Sequence, residues 1–227
     1  TNLAALLRGL CRVDGLEWLR LHYLYPHELD DELIEVIAGE PKIVKYLDIP
    51  LQHINDGILK AMNRRGSKAE IVDLLDKLRE RLPGLVLRTS LICGLPGEGE
   101  AEFEELCEFL REARIERAGV FPFSPEEGTP AAVMPHVDSD TARERAELVS
   151  SLQAEIMDEW ESSLAGRVIE AICDEYDPET NTATGRAYFD SPGIDGSAVL
   201  EGECRPGDIV KFRVEAAEDG QLRGRII

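Results

Sequence analysis

Leu85-Val-Leu-Arg-Thr-Ser-Leu-Ile-Cys-Gly-Leu-Pro-Gly-Glu98 is the stretch that decides the fold. Its first ten residues read as a strand, rich in aliphatic and β-branched side chains, and the Gly94–Gly97 cluster ends it. Helical patterns lie on both sides, over 55–82 and 99–114, with a third over 28–38. Three more strand-like runs alternate with them: Leu16–Leu24, Ile43–Pro50 and Ala118–Phe123. Ser67 followed by Glu70 is a capping box, which predicts a helix start near residue 68. Strands alternating with helices build a parallel sheet covered by helices, so the fold class is α/β. A closed eight-stranded barrel needs about 250 residues. The four strands here supply about half of one, a partial TIM-like half-barrel or horseshoe. Its first strand would then be an open pairing edge. The chain also opens on Thr1, and Leu3–Leu10 reads as helix from the middle of a protein. Both features predict a piece of a longer chain.

A long helix is expected over 139–164, behind Asp138-Ser139-Asp140 and before Gly166, with Leu148, Leu152, Ile156 and Trp160 spaced by four. After Gly166 the texture changes. Five short runs follow: Val168–Cys173, Ala183–Phe189, Ser197–Leu200, Ile209–Val214 and Leu222–Ile227. Turn clusters separate them, at Asp177-Pro178, Ser191-Pro192-Gly193, Asp195-Gly196, Arg205–Asp208 and Asp219-Gly220. Five short strands in so few residues suggest a small antiparallel all-β barrel of OB type. The expected domains are therefore 1–165 and 166–227.

The 227 residues carry 45 Asp and Glu against 25 Lys and Arg, a net charge of −20. So acidic a surface repels phosphate backbones and anionic membranes, and favours basic partners. No apolar run approaches the roughly 18 residues of a membrane span. The start lacks the parts of a signal peptide. The five cysteines are scattered, with no C-x-x-C pair, and read as reduced thiols of a cytoplasmic protein.

Ligands of parallel α/β folds sit at the C-terminal ends of strands. Gln52 and His53 stand at such an end, either as contacts to a ribose or substrate or as loop caps. Arg88 interrupts an apolar strand. A buried guanidinium needs a carboxylate or phosphate partner, so it is a site candidate or half of an internal ion pair. Gly94 and Gly97 would let backbone approach a planar ligand. Glu98 is expected to open the next helix, where the dipole favours a carboxylate. Arg64-Arg65 reads equally as a phosphate contact or a helix end. Glu126–Pro130 reads as a solvated turn rather than an acidic recognition loop, and Cys93 and Cys107 as core thiols.

Tyr46-Leu-Asp-Ile-Pro-Leu-Gln-His53, Leu59-Lys-Ala-Met-Asn-Arg-Arg-Gly66, Arg88–Glu98 and Gly119–Thr129 resemble the radical S-adenosylmethionine methylthiotransferases. The region after Gly166 looks like their terminal TRAM domain, and Tyr188–Gly196 is similar to the RimO branch. Gly99 departs from the family, which usually has Thr there. The resemblance implies S-adenosyl-L-methionine as cofactor and [4Fe-4S] clusters ligated by cysteines of a C-x-x-x-C-x-x-C motif. That motif is absent from this chain, so the clusters would be ligated outside it and the chain alone is expected to be inactive. It also implies that Gln52 lies near the ribose, that Arg88 faces the polar end of the cofactor or a substrate carboxylate, and that Ile92, Gly94 and Phe121 pack around adenine. The reaction implied is hydrogen abstraction from an aspartate β-carbon of small-subunit ribosomal protein S twelve, then delivery of a methylthio group from a second cluster.

The sister branch, MiaB-like, acts on an adenosine of tRNA. Its TRAM domain is expected to be basic. From Leu164 to Ile227 there are 13 acidic and 7 basic residues, net −6, which suits a basic ribosomal protein better than RNA. A non-catalytic module that only recruits a basic partner is the reading from a different functional class.

Overall fold

The computed structural model describes residues 2–218 and 220–227. They form two compact units, one ending at Ile156 and the other starting at Met157.

The first unit opens with α1 (Leu3–Cys11), β1 (Leu19–Leu21), α2 (Asp31–Gly39) and β2 (Ile43–Asp48). It continues through α3 (Asp56–Ala61), α4 (Lys68–Arg81), β3 (Val86–Cys93), α5 (Glu100–Ala113) and β4 (Arg117–Pro122). Helix α6 (Ser139–Ser162) begins in this unit. The four strands pair in the order β1-β2-β3-β4, all parallel. Each helix therefore returns the chain to the neighbouring position, the sequential winding of half a (β/α)8 barrel.

Strand β3 shows the layering. Leu87, Thr89, Leu91 and Cys93 are buried, while Arg88, Ser90 and Ile92 alternate with them on the more open face. The buried row meets Leu47 of β2, Ile34 and Ile37 of α2, Leu75 and Leu78 of α4, and Phe109 and Leu110 of α5 in one apolar core. Cys107 joins that core as expected.

Local chemistry sets the element ends. The Asp30 side chain accepts from the Leu33 amide at 2.8 Å and starts α2. Ser67 and Glu70 form the full capping box ahead of α4. The helical pattern over 55–82 is two helices rather than one. Asn63 and Gly66 between them have φ values of +56° and +99°, which no α-helix accommodates. Strand β1 is shorter than its run: Tyr23 turns to φ +58° and interrupts the ladder, although the Leu24 amide still donates to Asp48 O at 2.8 Å.

Of the four-residue row on α6, Leu148 leaves the core face, while Leu152 packs against the core and Ile156 lies in it. Leu148 is 61% exposed, while Ala142, Ala146, Val149 and Ile156 are buried. Four residues advance a helix by about 400°, so a row spaced only by four drifts around the axis, whereas mixed steps of three and four stay on one side.

The second unit is a closed barrel of β5 (Val168–Asp177), β6 (Thr182–Ala187), β7 (Ser197–Glu201), β8 (Ile209–Glu218) and β9 (Gln221–Ile226), paired β5-β6-β7-β9-β8. Closure rests on the β5–β8 ladder, and every pair is antiparallel except β7–β9. Its interior is small and apolar, with Ala171, Ala183, Ala187 and Ala198 around Leu200, Phe212 and Leu222. The expected turn at Asp219-Gly220 falls partly on Asp219, which lies outside the described residues.

Candidate functional site

A cleft of about 680 Å³ opens at the C-terminal ends of β2, β3 and β4. Its walls are Ile92, Leu95, Pro96, Phe121, Met62 and Met134, with Gln52, Asn63, Ser90, Ser124 and Thr129 as polar points among them. An apolar slot of this size with a few polar anchors suits a ligand that is part planar ring and part polyol.

Gln52 reaches the cleft through an unusual backbone. Strand β2 ends at Asp48, yet the Gln52 amide donates to Ser90 O at 2.8 Å, and the Ile92 amide donates to Gln52 O at 2.8 Å. Between these bonds Gln52 has φ +71°, a left-handed conformation that costs a residue with a Cβ about 1–3 kcal/mol. Strain of this kind persists where neighbouring bonds over-determine it. Thr89 contributes by donating to Ile49 O at 2.9 Å and accepting from the Leu51 amide at 3.1 Å.

Ile92 and Phe121 lie side by side in register on β3 and β4. Phe121 is 54% exposed, a large apolar side chain left open to the cleft. Arg88 lies on the same face of β3 but four residues before Ile92, roughly 13 Å along the strand. It is not part of the cleft wall; its register neighbours are Asp48 on β2 and Arg117 on β4. Gly94 has φ +85°, but the space beside its Cα is taken by Ala142 and Val137 rather than by the cleft. Of the five candidate cofactor contacts, the structure thus brings Gln52, Ile92 and Phe121 together and leaves Arg88 and Gly94 outside the wall.

Two other expectations change. Glu98 lies just before the helix rather than opening it. Its side chain is fully buried one residue before Gly99, the N-cap of α5. Arg145 of α6 donates to its Oε1 at 2.9 Å and to its backbone oxygen at 3.1 Å. His53, also fully buried, places Nε2 3.3 Å from Glu98 Oε2. Burial alone would raise the Glu98 carboxyl, but His53, the Gly94 backbone and Arg145 together hold it below the usual carboxylate range. Arg64 does not cap a helix end. Its guanidinium lies 4.8 Å from the Tyr25 ring centre and donates to Pro50 O.

Sequence reasoning missed Ser90, Leu95, Pro96, Met62 and Met134 as cleft residues, and Arg145 as the partner of Glu98. Alternation along β3 would have found Ser90, which shares the face of Ile92. No local signal links Arg145 to Glu98, 47 residues away.

Among the described residues no cluster of three His, Cys, Asp or Glu side chains is arranged to hold a metal ion. Cys93 is buried in the core face of β3, away from the cleft, and burial pushes its thiol up to about 12. These residues therefore do not fit an iron–sulfur cluster. The cleft does fit an adenosine, with ring-sized apolar walls and hydrogen-bonding groups at Gln52 and Ser90.

Residues 1–110 match the family model described as the radical SAM superfamily, and residues 165–227 match the TRAM domain model. The chain is 47% identical over 225 residues to a protein of an Anaeromyxobacter species named ribosomal protein uS12 methylthiotransferase RimO, covering 98% of this chain and 48% of that protein. A Geotalea uraniireducens protein of the same name is 44% identical over 229 residues, covering all of this chain and 51% of its own length. The chain spans about half the length of the curated relatives it matches. Among solved structures, coproporphyrinogen III oxidase from Escherichia coli, described as a radical SAM enzyme, aligns with a TM-score of 0.51 at 17% identity, over 61% of this chain and 32% of that one. That likeness concerns the fold alone.

Proposed function

Starting from the membership of this chain in the radical SAM superfamily, among its RimO-type sequences, we propose that it supplies the adenosine-binding wall and the substrate-docking barrel of a methylthiotransferase. The substrate is an aspartate β-carbon of ribosomal protein uS12, modified in the cytoplasm. The observation that carries this reading is the cleft at the strand ends, where Gln52, Ile92 and Phe121 converge.

S-adenosylmethionine, when bound, supplies the adenosyl group through which enzymes of this superfamily take a hydrogen atom from carbon. The work left to this chain is positioning. Ile92 and Phe121, side by side on one sheet face, form an apolar floor on which a planar base packs and from which water is excluded, while the strained Gln52 backbone aims an amide at the sugar hydroxyls. The terminal barrel, acidic by six charges, attracts a basic protein.

The test is equilibrium binding of S-adenosylhomocysteine, a probe that needs no cluster. Binding is expected, and Phe121→Ala and Ile92→Ala each weaken it about tenfold. Wild-type affinity in both variants overturns the cleft assignment. A pull-down at low salt separates the substrates: uS12 is retained and tRNA is not. Retention of tRNA alone moves the chain to the RNA-modifying branch.

A further inference from the structure

Glu98 stands between two walls of the cleft without touching its interior. One wall ends in Gln52, and the next residue, His53, faces the Glu98 carboxylate. The other wall is Leu95-Pro96, carried on the tight loop that starts at Gly94 and ends at Glu98 itself. That loop closes through a bond from the Glu98 amide to Leu95 O at 2.9 Å. Behind the Leu95–Pro96 wall lies Arg145, which bonds the Glu98 side chain and backbone, reaches Glu100 at 3.1 Å and stacks 5.0 Å over Phe103. The orientation of His53 is fixed as well. Its Nδ1 accepts the Asn55 amide at 3.0 Å, so the ring proton sits on Nε2, toward Glu98.

We propose that Glu98, braced by His53 and Arg145, is a positioning residue that sets the distance between the Gln52 wall and the Leu95–Pro96 wall and thereby the affinity of the cleft for an adenosyl ligand. A buried carboxylate bridging an imidazole and a guanidinium is an expensive way to stabilise a fold, since apolar packing serves that end at least as well. Its value lies in direction. Arg145 holds the carboxylate and the backbone oxygen by hydrogen bonds, and the buried His53 ring stands 3.3 Å from the other carboxylate oxygen, outside hydrogen-bond geometry, so the loop is confined from two sides where apolar contacts would let it slide. The inference rests on the cleft being the adenosyl site.

The experiment compares Glu98→Gln, Arg145→Lys and Gln153→Ala with the wild-type chain. Gln153 is the structural control, a buried residue of α6 that bonds Ile115 O at 2.8 Å and does not line the cleft. Glu98→Gln is expected to weaken S-adenosylhomocysteine at least about tenfold, Arg145→Lys to fall between it and wild type, and Gln153→Ala to bind normally despite a lower melting temperature. Amide exchange should quicken at Gly94 and Glu98, whose amides bond the Glu98 carboxylate and Leu95 O, in Glu98→Gln while Leu91 and Val149 stay protected. Wild-type binding and exchange in Glu98→Gln overturn the proposal, as does an equal loss of affinity in Gln153→Ala. Should the wild-type chain bind no probe, the adenosyl reading of the cleft fails, and the exchange at Gly94 and Glu98 alone decides whether Glu98 positions the wall.

Discussion

A Cβ built on Gly94 would stand 2.5 Å from the Cβ of Ala142, so the loop after β3 and the first turn of α6 meet with no room for a side chain between them. The same glycine has φ +85°, so its lack of a Cβ is required twice. This close approach lets α6 lie against the back of the Leu95–Pro96 wall, within reach of Glu98 three residues further along its own length.

Gly94→Ala is accordingly expected to destabilise the first unit by about 2–4 kcal/mol, combining overpacking with left-handed strain. Ala142→Gly in the same chain recovers only the overpacking part. Urea unfolding of the single and double variants measures both.

Gln52→Gly separates backbone from side chain. Glycine accepts φ +71° without strain but adds freedom to the unfolded chain, so stability should stay within about 1 kcal/mol of wild type. Binding of S-adenosylhomocysteine should drop about tenfold, since the amide is gone. Unchanged binding would show that only the Gln52 backbone matters.

Two buried carboxyls respond to pH in opposite directions. Glu98 is held below its ordinary 4.5 despite burial, so its contribution to stability is complete above that pH and is lost as pH falls below it. Glu116 is pushed above 4.5 by burial, although the Leu87 amide donates to it at 2.9 Å and Arg79 lies 3.6 Å away. Its contribution is present below 4.5 and is lost as pH rises through its raised value. Calorimetry at pH 4 and pH 7.5 should show Glu98→Gln costing more at the higher pH. Glu116→Gln should compare more favourably with wild type at pH 7.5 than at pH 4.

Phe212 fills the barrel interior and is fully buried. Phe212→Ala should cost the second unit about 3–5 kcal/mol, a large part of what a domain of that size commands. Amide exchange should then rise across β5–β9 while Leu91 and Leu110 of the first unit keep their protection. Uniform loss of protection through both units would show that they unfold as one.

Much of this architecture was legible in the residues. The apolar strand-forming run along 85–94, ended by Gly94, and the Ser67/Glu70 box placed β3 and α4 because both signals are local: one is a run of side chains suited to a buried strand, the other a four-residue hydrogen-bond pattern. The five turn clusters after Gly166 announced a barrel because each supplies the glycine, proline or aspartate that a tight reversal needs. Gln52 and Ile92, read from strand ends, line the cleft, whereas Arg88 and Gly94, read from residue type, do not, because depth along the sheet and the packing of Ala142 assign them other surroundings.

By itself the sequence determined the order of elements, the split between parallel sheet and small barrel, the acidic surface and the family, since these follow from periodicity, turn chemistry, charge and motif. Only the tertiary structure decided which polar residues share a cavity and which are buried behind it. Glu98 and Arg145 meet because α6 returns across the end of β3, and the energy of that pairing depends on burial and distance, which no local pattern in a chain encodes.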